Sequence, residues 1–171
     1  MKNVKFERKI DFKTPKPKAK VNTAKERKEA VAALIRGIQK GASRIESYLP
    51  PLLNKAMESK TWDWPNDTLR QNGSTAGRTR DIVDTGKLRD SLKVSTKFLK
   101  TKTTFNVTYG APYAALVHEG GYILPYGDSF KDPKYIPGRP WVTAVMEGGY
   151  SGITSIDISS EMMIGVYGEW G

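Results

Sequence analysis

A chain of 171 residues is about one domain long, and a domain of that size buries roughly 70% of the surface its unfolded chain exposes, so a core needs neither metal nor disulfide. The absence of Cys excludes a disulfide framework and a thiolate metal site, while charged residues behind Met1 and the lack of any apolar run near the roughly 20 residues that span a bilayer point to a soluble, unsecreted protein. Of the 28 Lys and Arg, 13 lie in residues 1–40 with 4 of the 18 Asp and Glu, a net of +9 there against +1 for residues 41–171.

Residues 1–22 therefore read as a basic extended arm. Val4, Phe6, Ile10 and Phe12 fall on even positions among Lys and Arg, the alternation of a strand that would pair with the sheet of the domain or with a neighbouring copy; a disordered tail fits as well. Thr14-Pro15-Lys16-Pro17-Lys18 resists both helix and ladder and reads as linker. Lys2, Lys5, Arg8 and Lys9, with Lys13, Lys16, Lys18 and Lys20 behind them, are the candidates for contact with DNA phosphates or an acidic protein surface. No base-reading motif accompanies them.

Thr23-Ala24-Lys25-Glu26 matches a capping box and predicts a helix start. Val31, Leu34, Ile35, Ile38, Ala42, Ile45 and Leu49 then recur at spacings of three and four, one apolar stripe on the longest element of the chain. Gly37 and Gly41, four apart, read first as glycines tolerated in a long helix and second as a point of close backbone approach. Pro50-Pro51 is expected to break or kink this helix, with Leu52 to Lys60 restarting as a short one, and Trp62 and Trp64 to cap the core.

Asn66 to Val83 reads as a long loop made basic by Arg78 and Arg80. Asp84 or Thr85 should cap a short helix carrying Leu88, Ser91 and Leu92 on one side. Leu92, Val94, Thr96 and Phe98, then Phe105, Val107 and Tyr109, alternate with polar residues and predict an antiparallel hairpin with one apolar face. It leads into Tyr109-Gly110-Ala111-Pro112-Tyr113-Ala114-Ala115-Leu116-Val117-His118-Glu119-Gly120-Gly121, where Pro112 suits a helix start and the glycine pair a helix stop. Tyr122-Ile123-Leu124 should be a third strand, and Pro125 to Arg139 a second, proline-stiffened loop bearing Tyr126, Phe130 and Tyr135. Pro140 to Met146 predicts a helix stopped by Gly148-Gly149, and Tyr150 to Gly171 two short strands or a draped tail.

The chemistry of catalysis is missing. His118 is the only His, and one imidazole with scattered carboxylates makes neither a metal site nor a triad, so a packing or helix-end role is expected for it. No phosphate-binding glycine loop precedes a helix, and Ser91 stands in no glycine-flanked elbow. The sequence argues against an enzyme and against a cofactor or metal.

Three motifs fall into a known order. Asp84-Thr85-Gly86-Lys87-Leu88-Arg89-Asp90-Ser91-Leu92, the Tyr109 to Gly121 segment and Pro137-Gly138-Arg139-Pro140-Trp141 together resemble the lambdoid gene-10-like family of tailed-bacteriophage neck and tail-completion proteins. That family has a Thr-Gly-x-Leu-Arg-x-Ser motif before a strand pair, then Tyr-Ala-x-x-Val-Glu-x-Gly, then a Pro-Phe helix start. The resemblance covers about residues 25–148; His118 before Glu119, Trp141 for Phe and a long stretch from Ile123 to Gly138 depart from it.

The resemblance implies an α+β domain over residues 23–149, with a long N-terminal helix and short helices packed on a small, mainly antiparallel sheet; the arm 1–22 and a C-terminal extension 150–171 lie outside it. It also implies a structural virion protein of the head–tail junction, made in the host cytoplasm. Such a protein forms a ring, sixfold as a first expectation, between the capsid connector or head-closure protein and the tail tube or tail terminator, with DNA in its lumen. The tail terminator itself and a nucleic-acid-binding module working through the arm are the alternatives. Candidate subunit contacts are Arg78 and Arg80 on the first loop, Tyr113, Val117 and Glu119 on the central segment, and Tyr126, Phe130 and Tyr135 on the second loop.

Overall fold

A computed structural model describes residues 4–11, 23–64, 67–99, 102–123 and 133–170, the first of these stretches as backbone. The fold is α+β: one long helix, several short ones and small antiparallel sheets. The chain forms two compact units that interleave in sequence. One takes Pro50–Lys93 and Val107–Ile156 with the first part of the opening strand; the other takes Glu7–Leu49, Val94–Asn106 and the segment from Asp157 onward.

The arm's alternation does form a strand, β1 (Val4–Asp11), and of the two expected partners it takes the sheet of its own chain. Its linker, residues 12–22, lies outside the described residues. α1 (Ala24–Glu58) begins as the capping box requires: the Glu26 amide donates to Thr23 Oγ1 at 3.2 Å and the Thr23 amide to a Glu26 carboxylate oxygen at 3.0 Å. Of the break or kink expected at Pro50-Pro51, the break does not occur and no separate helix restarts at Leu52, because α1 runs through both prolines to Glu58. An interior proline costs about 3 kcal/mol or more through its lost amide and ring clash. Here the carbonyls that lose partners belong to Glu46 and Ser47, which water reaches. Against that cost, Leu53 and Met57 beyond the prolines are fully buried, each stabilising by about 1.5–3 kcal/mol. The boundary between the two units, not the end of the helix, falls at Leu49–Pro50.

In the first unit, the stretch expected to be a loop, Asn66 to Val83, contributes three two-residue strands, and a fourth precedes it. β2 (Trp62–Asp63), β3 (Thr68–Leu69), β4 (Thr75–Ala76) and β5 (Thr79–Arg80) make two antiparallel ladders, β2 with β5 and β3 with β4. Two-residue strands carry no periodicity to detect. Trp62 is buried and its indole N–H donates to the Ala56 carbonyl at 2.7 Å, while the Ile82 amide takes the Met57 carbonyl at 2.8 Å, so the last turn of α1 is closed from outside. α2 (Lys87–Asp90) starts later than expected, with Gly86 as N-cap; Thr85 Oγ1 still accepts the Lys87 amide at 3.4 Å.

β6 (Leu92–Leu99) and β7 (Lys102–Tyr109) are the expected hairpin, and the three-stranded sheet has the order β1-β7-β6. Thr103, Phe105, Val107 and Tyr109 alternate into the interior, all at 1% exposure or less, whereas Phe98 on β6 is 40% exposed. α3 (Ala114–Glu119) ends at Gly120, whose φ of +80° turns the chain into β8 (Gly120–Ile123). The strand expected at Tyr122-Ile123 forms, Leu124 lying outside the described residues, and it is half of a separate ribbon: β8 pairs antiparallel with β9 (Lys134–Pro137), which lies inside the expected second loop. A Cβ on Gly120 would stand 2.5 Å from the Gly138 amide nitrogen, so glycine permits this pairing at the ribbon's mouth.

α4 (Trp141–Glu147), starting behind Pro140 and stopping at Gly148 as predicted, is the centre of this unit. Trp141, Val142, Ala144 and Val145 are fully buried.

In the second unit the expected strands or draped tail are a helix, α5 (Ile158–Trp170). Asp157 caps it: the Ser160 amide donates to Asp157 Oδ1 at 3.0 Å and the Ser160 hydroxyl to Oδ2 at 2.7 Å, which together hold the Asp157 carboxyl below its ordinary range. Of the two readings of Gly37 and Gly41, close backbone approach is the one found. A Cβ on Gly37 would lie 2.6 Å from the Val166 Cα, one on Gly41 2.7 Å from the Met162 Cα, and one on Gly165 only 2.2 Å from the Gly41 amide nitrogen. Arg36 pairs with Glu169 at 2.8 Å and Arg44 with Glu161 at 3.0 Å beside this crossing, and Lys40 also pairs with Glu169. Lys40 first and Arg36 second hold the Glu169 carboxyl below its usual range.

Candidate functional site

The first unit holds a cavity of about 380 Å³ whose wall carries Arg70, Arg80, Arg89 and Arg139 together with the carboxylates of Asp81 and Asp84. Its floor is built from the β2–β5 ladder. The register Trp62↔Arg80 and Asp63↔Thr79, together with the 2.6 Å bond from the Trp64 amide to the Arg78 carbonyl, sets Trp64 and Arg80 beside each other. The Arg80 guanidinium carbon lies 4.3 Å from the Trp64 ring centroid. Arg139 reaches the same ring from the Pro137–Trp141 corner at 3.6 Å. That corner is fixed by the Arg139 amide donating to the Val117 carbonyl at 3.0 Å and the Trp141 amide to the Arg139 carbonyl at 2.8 Å.

Arg139 is only 4% exposed. Its Nε donates to the Asp63 carbonyl at 3.4 Å, and its buried Nη2 has no hydrogen-bond partner among the described residues. Burial first, and the neighbouring Arg80 second, bring its pKa down to about 10, so it remains a cation at neutral pH. Arg80 donates to Thr68 Oγ1, and burial followed by Arg70 lowers its pKa too. Arg70 is neutralised: it pairs with Asp81 at 3.0 Å and donates to the Val83 carbonyl. Arg89, further along the wall, pairs with Glu58 and Asp90 at 3.2 Å each. Neither Arg80 nor Arg139 forms an ion pair among the described residues.

The residues expected at subunit contacts divide. Arg80, Tyr113 and Val117 line this cavity. Arg78 and Glu119 are open to water, and Tyr135 is exposed on β9, its ring 5.3 Å from that of Tyr122 across the ribbon. Tyr126 and Phe130 lie outside the described residues, as do Lys2, Lys13, Lys16, Lys18 and Lys20, while Lys5, Arg8 and Lys9 sit on the backbone of β1. Trp64, Arg70 and Arg139 were not singled out as site residues from the sequence. No local spacing links positions 64, 70, 80 and 139; only the ladders and the α3–β9 corner bring them together.

His118 belongs to the core beneath. Its ring stands 4.9 Å from Trp141 and that of Tyr109 5.2 Å, both edge-on to the indole. Among the described residues neither His118 nitrogen has a hydrogen-bond partner. Burial pushes the Tyr109 hydroxyl far up, partly countered by its hydrogen bond with Trp141, and the His118 imidazole down, partly countered by Glu119. The unfolded chain titrates His118 near its ordinary 6.5 and the folded chain lower. Between those values the unfolded state binds more protons, so stability is complete above that ordinary value and falls as the pH drops below it. His118→Phe is expected to lose less stability than the wild type between pH 7.5 and pH 5.5, roughly the window just below the ordinary imidazole value. Urea midpoints of both proteins at the two pH values check this, and equal losses would refute it.

Among the described residues no group of three or more His, Asp and Glu is placed to hold a metal, and no helix is long and apolar enough to cross a membrane. No family model, no curated protein and no solved structure matches this chain.

Proposed function

We propose that the chain is a non-enzymatic structural subunit of a tailed-phage head–tail junction, a neck or tail-completion protein that assembles as a ring between capsid connector and tail. The order of the three motifs supports this reading, and so does the α+β fold that the resemblance implies. The observation that carries it is apolar surface left in water. Met163, Ile164, Tyr167 and Trp170 on α5 are between 44% and 66% exposed, and Tyr122 and Tyr135 on the β8–β9 ribbon 74% and 54%. Large aromatic and Met side chains are the ones that interfaces favour, and contiguous exposed apolar patches mark interaction surfaces. A second copy of the chain is the partner that a ring supplies. In such a ring the +9 of residues 1–40 faces either a neighbour or the DNA that passes through.

Size-exclusion chromatography and negative-stain imaging of the purified protein, alone and with connector or tail-tube proteins, are expected to show closed rings, sixfold as the first expectation. Tyr167→Asp with Trp170→Asp, both at exposed positions, should leave circular dichroism unchanged and abolish the rings. Monomers that never join a ring under any of these conditions would overturn the proposal.

A further inference from the structure

The charge in the arginine-lined cavity is left open where it is most buried. Arg139 is 96% removed from water, has no ion-pair partner among the described residues, and no carboxylate counters the fall in its pKa. Arg80 beside it donates to a hydroxyl and feels Asp81, Asp84 and Asp67 without pairing with any of them. Of the two carboxylates on the wall, Asp81 is committed to Arg70 and Asp84 accepts the Gln71 amide. Taking a guanidinium out of water without a counter-charge is unfavourable, and a planar guanidinium recognises an oxyanion through two parallel N–H donors. We propose that this cavity binds a small oxyanion, a carboxylate or a phosphate group, held by the guanidinium groups of Arg80 and Arg139 beside the Trp64 ring.

Stacking on Trp64 fits this role, because a ring at 3.6 and 4.3 Å from the two guanidinium carbons holds their planes without using their N–H donors. The volume of about 380 Å³ exceeds that of a bare ion and admits a short carbon skeleton behind the charged group. Tyr113 and Val117 supply an apolar wall for it. The proposal is independent of ring assembly, since every residue it uses belongs to one unit of one chain.

The full chain, titrated with sodium phosphate and separately with sodium acetate at ionic strength held constant with sodium chloride, is expected to show a saturable rise in thermal midpoint and a saturable change in Trp fluorescence. A response to phosphate assigns the group as phosphate, a response to acetate as carboxylate, and no saturable response to either overturns the proposal. Arg139→Met should weaken binding roughly tenfold or more. Because that residue is buried, Arg80→Gln, at a half-buried position, is the second variant and should weaken binding similarly with an unchanged circular dichroism spectrum. Undiminished binding in Arg80→Gln, or in a folded Arg139→Met, also overturns it.

Discussion

Gly165→Val is expected to separate α5 from α1 and destabilise the second unit by more than about 3 kcal/mol, the upper end of overpacking costs. The first side-chain atom already fails to fit: a Cβ at Gly165 would stand 2.2 Å from the Gly41 amide nitrogen and 2.5 Å from the Gly37 carbonyl oxygen. Those neighbours are backbone, which no rotamer change removes. If the helices part to admit valine, Met162 and Ile158, now 1% and 6% exposed, return to water with Ala42 and Ile45 opposite. Gly168, on the same helix, has nothing within 4 Å of an added Cβ. Gly168→Ala should therefore be neutral or stabilising by up to about 1 kcal/mol. Chemical denaturation followed by far-ultraviolet circular dichroism distinguishes the pair. A Gly165→Val protein that unfolds at the wild-type midpoint would show that the crossing is looser than described.

Trp141→Ala should cost about 3–5 kcal/mol in the first unit, the range for emptying a large aromatic site. Trp141 is fully buried at the start of α4, with Tyr109 and His118 against its ring at 5.2 and 4.9 Å. Edge-to-face pairs add about 0.5–1.5 kcal/mol beyond buried area. Trp141→Phe retains most of the volume and gives up only the indole's hydrogen bond with Tyr109, so a much smaller loss is expected, below about 1.5 kcal/mol. Midpoints of guanidinium chloride unfolding order the three proteins. Equal losses for Ala and Phe would mean that the indole's volume is not what holds this core.

Where an element was long and its side chains alternated or recurred, the sequence was legible. The capping box at Thr23, the hairpin alternation through Phe105 to Tyr109 and the Pro140 start of α4 are all local signals that the fold obeys. Failures cluster where tertiary packing outweighs local preference. Pro50 and Pro51 are strong breakers, but the buried stripe continues through Leu53 and Met57 and keeps α1 whole. The segment after Asp157, read as strands or a draped tail, is a helix, and Gly165 is what lets that helix approach Gly37 and Gly41. The candidate site was legible only in part. Arg80, Tyr113 and Val117 stood out as residues on distinctive segments, but Arg139 and Trp64 acquire meaning from a contact 75 positions apart that no sequence window contains.

The interleaving of the two units bears on how the chain is made. Within β1, α1, β6 and β7, and again before α5, the polypeptide passes from one unit to the other. During synthesis the glycine-notched face of α1 emerges early, whereas α5, the helix that fits it, follows more than a hundred residues later. A ribosome-bound chain therefore carries an apolar, notched helix with no mate until α5 has emerged. Closure of that unit waits on that late segment, and the nascent chain offers holdase chaperones a binding stripe until then.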